Sequence, residues 1–130
     1  DMILVHKKYN CSVMASMNVK RNTVKRWGIY SIEKKINKNN FFIKDVVEKP
    51  EIKYAPSNSA VIGRYILSKD IFKKLNNQKK GKGGEIHITD SIKRLIESGH
   101  KIIGHNFSGK YLDCGTMKGY IKSSMEISKL

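Results

Sequence analysis

Arginine and the acidic residues are scarce in this 130-residue chain: 11 Asp and Glu stand against 26 Lys and Arg, and only Arg21, Arg26, Arg64 and Arg94 are arginines. The formal charge of +15 invites a polyanion partner, because counterion release drives basic surfaces onto phosphate backbones. The shortage of arginine argues against it, since planar guanidinium forks are what read phosphates and base edges. Isoleucine and asparagine are also abundant, so the lysines read as a composition drift that would coat any fold, and no nucleic-acid partner is expected. Cysteine is nearly absent. Cys11 and Cys114 lie far apart with no CxxC and no histidine at ligand spacing, which excludes a zinc site and leaves two free, buried thiols suited to a reducing compartment. Two prolines and ten glycines exclude collagenous and proline-rich classes. No apolar run approaches the roughly 18–20 residues of a membrane span, and residues 1–8 lack the pattern of a signal peptide. A cytoplasmic protein with no membrane partner is the expectation.

What remains is one domain over residues 1–130, long enough to bury about two thirds of its unfolded surface. Residues 2–9 carry the apolar spacing of a helix capped by Asp1. Residues 11–19 predict a strand buried on both faces. Two β-rich runs, 28–33 and 41–48, are joined by Asn37-Lys38-Asn39-Asn40, a hairpin signal because Asn tolerates positive φ. A strand over 59–67 precedes a short helix that Ser68 would cap, with Ile71, Phe72 and Leu75 on one face. A Lys/Gly-rich tip at 79–84 reads as mobile. A helix over about 89–98, closed by Gly99, then a strand over 100–107, follow. Residues 111–115 read as a short strand ending at a last helix that carries Tyr120, Ile121, Met125 and Ile127. Interleaved strands and helices make the class α/β.

Three places set charge beside Gly or Pro at strand ends, where α/β sheets bind ligands: Val46-Val47-Glu48-Lys49-Pro50, Ala60-Val61-Ile62-Gly63-Arg64-Tyr65 and Tyr111-Leu112-Asp113-Cys114-Gly115-Thr116. Glu48 and Lys49 point to opposite faces of an extended chain. A carboxylate for hydroxyls beside an ammonium for phosphate suits a sugar phosphate, although either alone is ordinarily a solvated charge. Asp113 stands at a strand-to-helix turn, from which a carboxylate can face a hard cation or cap the helix.

Taken in order, Ser12-Val13-Met14-Ala15, Trp27-Gly28-Ile29, Val47-Glu48-Lys49-Pro50, Ala55-Pro56-Ser57-Asn58, Gly63-Arg64-Tyr65, Gly84-Glu85-Ile86-His87-Ile88-Thr89-Asp90 and Asp113-Cys114-Gly115 with Gly119-Tyr120 resemble the C-terminal half of the bacterial UTP–glucose-1-phosphate uridylyltransferases, within the wider sugar-nucleotidyltransferase family. The resemblance implies the C-terminal portion of a Rossmann-like nucleotidyltransferase fold, a mixed sheet flanked by helices with a β-hairpin. It implies UDP-glucose and pyrophosphate formed from UTP and glucose 1-phosphate, with Mg²⁺ as cofactor. By that likeness Gly28 offers a backbone amide to the sugar, Glu48 binds glucose hydroxyls, and Lys49 contacts phosphate as the catalytic cation. Val61, Ile62 and Gly63 line the sugar pocket through backbone, and Asp113 holds the metal. Glu85, Thr89 and Asp90 match a family motif, Thr89 being equally a helix cap.

The Gly-rich triphosphate loop and a further metal-binding Asp of that family have no counterpart in these residues. The chain therefore reads as a sugar-binding half without its N-terminal nucleotide-binding half, needing that half or a homo-oligomer partner. Two other readings stay open: an inactive, self-associating fold of the same family, and a basic nucleic-acid module.

Overall fold

Val13, Met14, Ala15 and Ser16 are all shielded from solvent, so both faces of the strand they form are covered. In the computed structural model, which describes residues 1–76, 78–81 and 84–130, that strand is the hub. The order is α1 (Met2–Tyr9), β1 (Ser12–Asn18), a 3₁₀ turn (Arg21–Arg26), β2 (Gly28–Lys35), β3 (Asn40–Glu48), a 3₁₀ turn (Ile52–Tyr54), β4 (Ser59–Ile66), α2 (Ile71–Asn76), α3 (Ile88–Glu97), β5 (Ile102–Asn106) and α4 (Met117–Ile127). The strands follow the spatial order β1-β4-β2-β3-β5 and close back on β1. Among the described residues only β1 and β5 run parallel; the other pairings are antiparallel. Closure between β2 and β4 rests on a single bridge, Ile29 to Ala60. This is the mixed α/β sheet with helices and a hairpin that the sequence leads one to expect.

The hairpin forms for the reason the asparagines suggest: Asn37 Oδ1 accepts the backbone N–H of Asn39 and of Asn40, each at 2.9 Å. Asn10 ends α1 at φ 47°, the left-handed cap that asparagine accepts at low cost. Tyr30 lies fully buried and donates from its hydroxyl to Ala15 O at 2.9 Å. Burial, and then the neighbouring Tyr65, push its phenol well above the ordinary value. Its ring meets the edge of Phe41, whose own ring lies over the bare Cα of Gly104 on β5. Residues of α3, notably Ile92 and Leu95, complete this core with Ile71 of α2. His105 is buried and hydrogen-bonded to Asn40 Oδ1 at 2.7 Å, the structural role its place in a strand suggests; burial keeps its pKa below the usual value.

Four expectations need correction. Residues 111–115 form no strand; this segment is a loop tied down by side chains. Phe72 is 67% exposed, because in the helix it points about 100° away from its buried neighbour Ile71. Cys114 is exposed and Cys11 only half-buried, so the thiols are free but not both buried. The cap of α4 is Thr116, whose Oγ1 accepts the Gly119 N–H at 3.1 Å, leaving Asp113 outside that role. Of the 79–84 tip, residues 82 and 83 lie outside the described residues. No helix among the described residues is long and apolar enough to cross a membrane.

Candidate functional site

Gly28 opens β2 directly across from Glu48, the last residue of β3. Cross-strand partners share a face, so the absent side chain of Gly28 leaves room that Glu48 fills. A Cβ on Gly28 would stand 3.2 Å from Glu48 Oε2, 3.2 Å from Val61 Cγ2 and 3.3 Å from Thr89 Cγ2. Thr89 is buried near the start of α3 and donates from Oγ1 to Glu48 Oε2 at 3.0 Å; the cap position belongs to His87. Residues of β2, β3, β4 and α3 thus meet at one point and floor a cleft of about 240 Å³, lined by Arg26, Gly28, Glu48, Val61, Gly63, Tyr65, His87 and Thr89 among others.

Strand β4 reaches this cleft through an irregularity. Between Met14 and Ser16 on β1 lies one residue, whereas their partners Tyr65 and Val61 enclose three. The extra length bulges at Ile62–Arg64, with Gly63 at φ 68°, a conformation glycine adopts without a Cβ penalty. Val61 and Tyr65, four residues apart and paired with Ser16 and Met14, share a face and both front the cleft. Ile62, on the other side of the strand, is buried and outside its lining. The phenol of Tyr65 is pushed upward, by burial first and by the charge of Glu48 second.

Lys49 leaves the sheet. Its amide donates to Trp27 O at 2.9 Å, its φ is 43°, and its exposed side chain lies outside the lining that Glu48 shares. A left-handed lysine costs on the order of 1 kcal/mol. The turn that exacts this cost is the one that separates Glu48 from Lys49.

Asp113 stands beside a second, larger cleft of about 640 Å³ that shares Arg26 with the first. Its Oδ1 accepts the Gly115 N–H at 3.0 Å, and its Oδ2 pairs with Arg26 at 3.2 Å. Tyr111 meets Trp27 edge-on at 5.3 Å. These contacts, rather than strand pairing, fix the 111–115 loop against the end of β2. No group of three potential metal ligands occurs among the described residues.

Of the residues singled out in the sequence, the fold joins Gly28, Glu48, Val61, Gly63 and Thr89 in one cleft, with Asp113 in the next. Glu85 is exposed, 3.9 Å from the His87 ring, and Asp90 accepts from Gln78 Nε2 at 3.5 Å. Neither lines the smaller cleft. Sequence reasoning missed Arg26, Tyr65 and His87 as lining residues. Tyr65 belongs to the Gly63-Arg64-Tyr65 motif, His87 to the Gly84–Asp90 motif, and Arg26 precedes Trp27-Gly28 directly, so their positions were the available signal.

A family profile described as nucleotidyl transferase matches residues 1–129. A UTP–glucose-1-phosphate uridylyltransferase of Pseudomonas aeruginosa is 39% identical over 124 residues, which are 95% of this chain and 44% of the relative. A solved UDP-glucose pyrophosphorylase complexed with UDP-glucose superposes with a TM-score of 0.92 at 42% identity, over 98% of this chain and 48% of that one. A UTP-bound UGPase from Acinetobacter baumannii gives a TM-score of 0.82 at 28% identity, over 97% of this chain and 42% of that one. The chain spans about half the length of the relatives it matches.

Proposed function

The chain belongs to the nucleotidyl transferase family, and we propose that, together with polypeptide equivalent to the rest of its relatives' length, it forms UDP-glucose and pyrophosphate from UTP and glucose 1-phosphate. The observation that carries this reading is the convergence of Gly28, Glu48, Val61 and Gly63 on one cleft, in a chain whose solved relatives are named for UDP-glucose and UTP. In the reaction a phosphate oxygen of glucose 1-phosphate bonds to the α-phosphorus of UTP as the bond to the departing pyrophosphate breaks. Such chemistry needs in-line positioning and charge neutralisation more than a protein nucleophile.

Glu48 would accept hydroxyls of the sugar, Gly28 would let the sugar approach the backbone closely, and Val61, Ile62 and Gly63 would offer backbone to it. Lys49, on the exposed side of the turn after β3, would neutralise phosphate charge. Asp113 would hold Mg²⁺: one half-exposed carboxylate, with one oxygen on a backbone N–H and the other on an exchangeable surface arginine, fits an ion that takes few carboxylates and shares phosphate oxygens. When bound, the ion neutralises phosphate charge. Free thiols at Cys11 and Cys114 fit the cytoplasm's reducing conditions.

Pyrophosphate release from UTP and glucose 1-phosphate, measured on the full-length protein containing this chain or on the chain combined with its complementary half, tests the reading. Lys49→Ala and Asp113→Ala should each lower turnover about a hundredfold or more with little change in thermal unfolding. A folded assembly that releases no pyrophosphate would overturn it.

A second reading, self-association without catalysis, draws support from α4, where Met117, Tyr120, Ile121 and Met125 are all more than half exposed. Apolar surface of that kind marks a partner, either the remaining polypeptide or a second copy. Light scattering that returns a monomer at high concentration argues against the second copy.

A further inference from the structure

A carboxylate that discriminates among hydroxyls must present one oxygen in a fixed direction, and a glutamate side chain left to itself samples many. Thr89 supplies the restraint. Its hydroxyl donates to Glu48 Oε2 at 3.0 Å, and it is the hydrogen-bond partner that this carboxylate has among the described residues. A threonine deep in a helix turns its hydroxyl to the carbonyl four residues back; as the second residue of α3, Thr89 has no helical carbonyl there to satisfy. His87 holds the cap position, so the hydroxyl is not spent on capping either. At 5% exposure it is sheltered from competing water, and its methyl group and Glu48 Oε2 close together over the bare Cα of Gly28.

We infer that Thr89 is a positioning residue: by holding one oxygen of Glu48 it directs the other to a particular hydroxyl of the sugar, and so contributes to the choice of sugar. The inference rests on the sugar-phosphate reading of this cleft. Without the Thr89 hydroxyl, the Glu48 carboxyl group remains in the cleft and loses its fixed direction. Binding then weakens only for ligands that offer the hydroxyl Glu48 takes.

The test is calorimetric binding of glucose 1-phosphate and its monodeoxy analogues to the full-length protein, as parent, Thr89→Val, Thr89→Ser and Glu48→Gln. In the parent, the analogue lacking the hydroxyl that Glu48 accepts is the one that binds weakly. Thr89→Val should weaken glucose 1-phosphate about tenfold, leave that analogue unchanged, and so erase the discrimination; Thr89→Ser should restore it. If Thr89→Val does not fold, Thr89→Ala is read by the same criteria. An equal loss for every ligand, or no loss for glucose 1-phosphate, overturns the role of Thr89. Glu48→Gln binding glucose 1-phosphate as the parent does overturns the sugar reading itself, whereas weakened Glu48→Gln beside an unaffected Thr89→Val overturns only the inference about Thr89.

Discussion

Gly104→Ala is the sharpest test of how the sheet closes around its core. Gly104 on β5 is the cross-strand partner of Phe41 on β3, and the ring of Phe41 lies where a Cβ would go. An added methyl group overlaps two ring carbons and stands 3.0 Å from a third. Phe41 has little room to retreat, because it is 3% exposed and its ring meets the edge of Tyr30 at 5.8 Å between centroids. Tyr30 in turn is anchored to Ala15 O. Forcing the ring off its rotamer costs about 0.5–1.5 kcal/mol, and losing the aromatic edge contact costs about as much. Against this stands a gain of about 0.4–1 kcal/mol from restricting the unfolded chain. The net expectation is a loss of roughly 1–2 kcal/mol, within the range for overpacked cores, or about 4–8 °C in Tm for a domain of this size.

Urea unfolding followed by tryptophan fluorescence measures it. A companion substitution locates the cause: in the Phe41→Leu background the obstructing ring is gone, so Gly104→Ala should there be neutral or slightly stabilising. The coupling between the two positions should be about 1–2 kcal/mol. A Gly104→Ala protein as stable as the parent, or one equally destabilised in both backgrounds, would refute the account of how β3 packs on β5.

At the cleft, Gly28→Ala places a methyl group 3.2–3.3 Å from Glu48, Val61 and Thr89. Because each neighbour need yield only a few tenths of an ångström, binding should suffer more than folding. Glucose 1-phosphate affinity should fall about tenfold, 1.4 kcal/mol, by calorimetry, and unchanged affinity would remove Gly28 from the proposed site. The acid limb of stability should report Asp70, whose carboxyl is held below its ordinary value near 3.8 by the hydrogen bond from Lys73 and then by that from His100. A depressed native pKa favours the charged form, so this contribution is complete above about pH 4 and is lost as pH falls through the depressed value. Asp70→Asn should therefore flatten the dependence of Tm on pH below about 4, and an unaltered acid limb would show that the pairings at 3.1 and 3.3 Å carry no net stability.

Local chemistry was readable where the determinants are neighbours in the chain. Asn37 to Asn40 announces its hairpin because one asparagine side chain satisfies the amides two and three residues on. The spacing of Ile88, Ile92, Leu95 and Ile96 announces α3 because a helix repeats over that interval. Residues 111–115 misled for the same reason: Tyr111 and Leu112 resemble a strand locally, while what holds them is Trp27 and Arg26, more than eighty residues earlier.

The sequence by itself determined the α/β class, the strands and helices with strong periodicity, and the ordered motifs that resemble a nucleotidyltransferase, since each depends on short-range spacing or on residue identity. Tertiary structure alone decided which of those residues meet. The pairing of Gly28 with Glu48 is set by the register of β2 on β3, the bulge that brings Gly63 to the cleft by the pairing of β4 on β1, and the grip of Thr89 on Glu48 by the packing of α3 against β3, across 41 residues of chain. Register, bulge and helix docking are fixed by the burial of many side chains at once, and no single stretch of sequence carries that information.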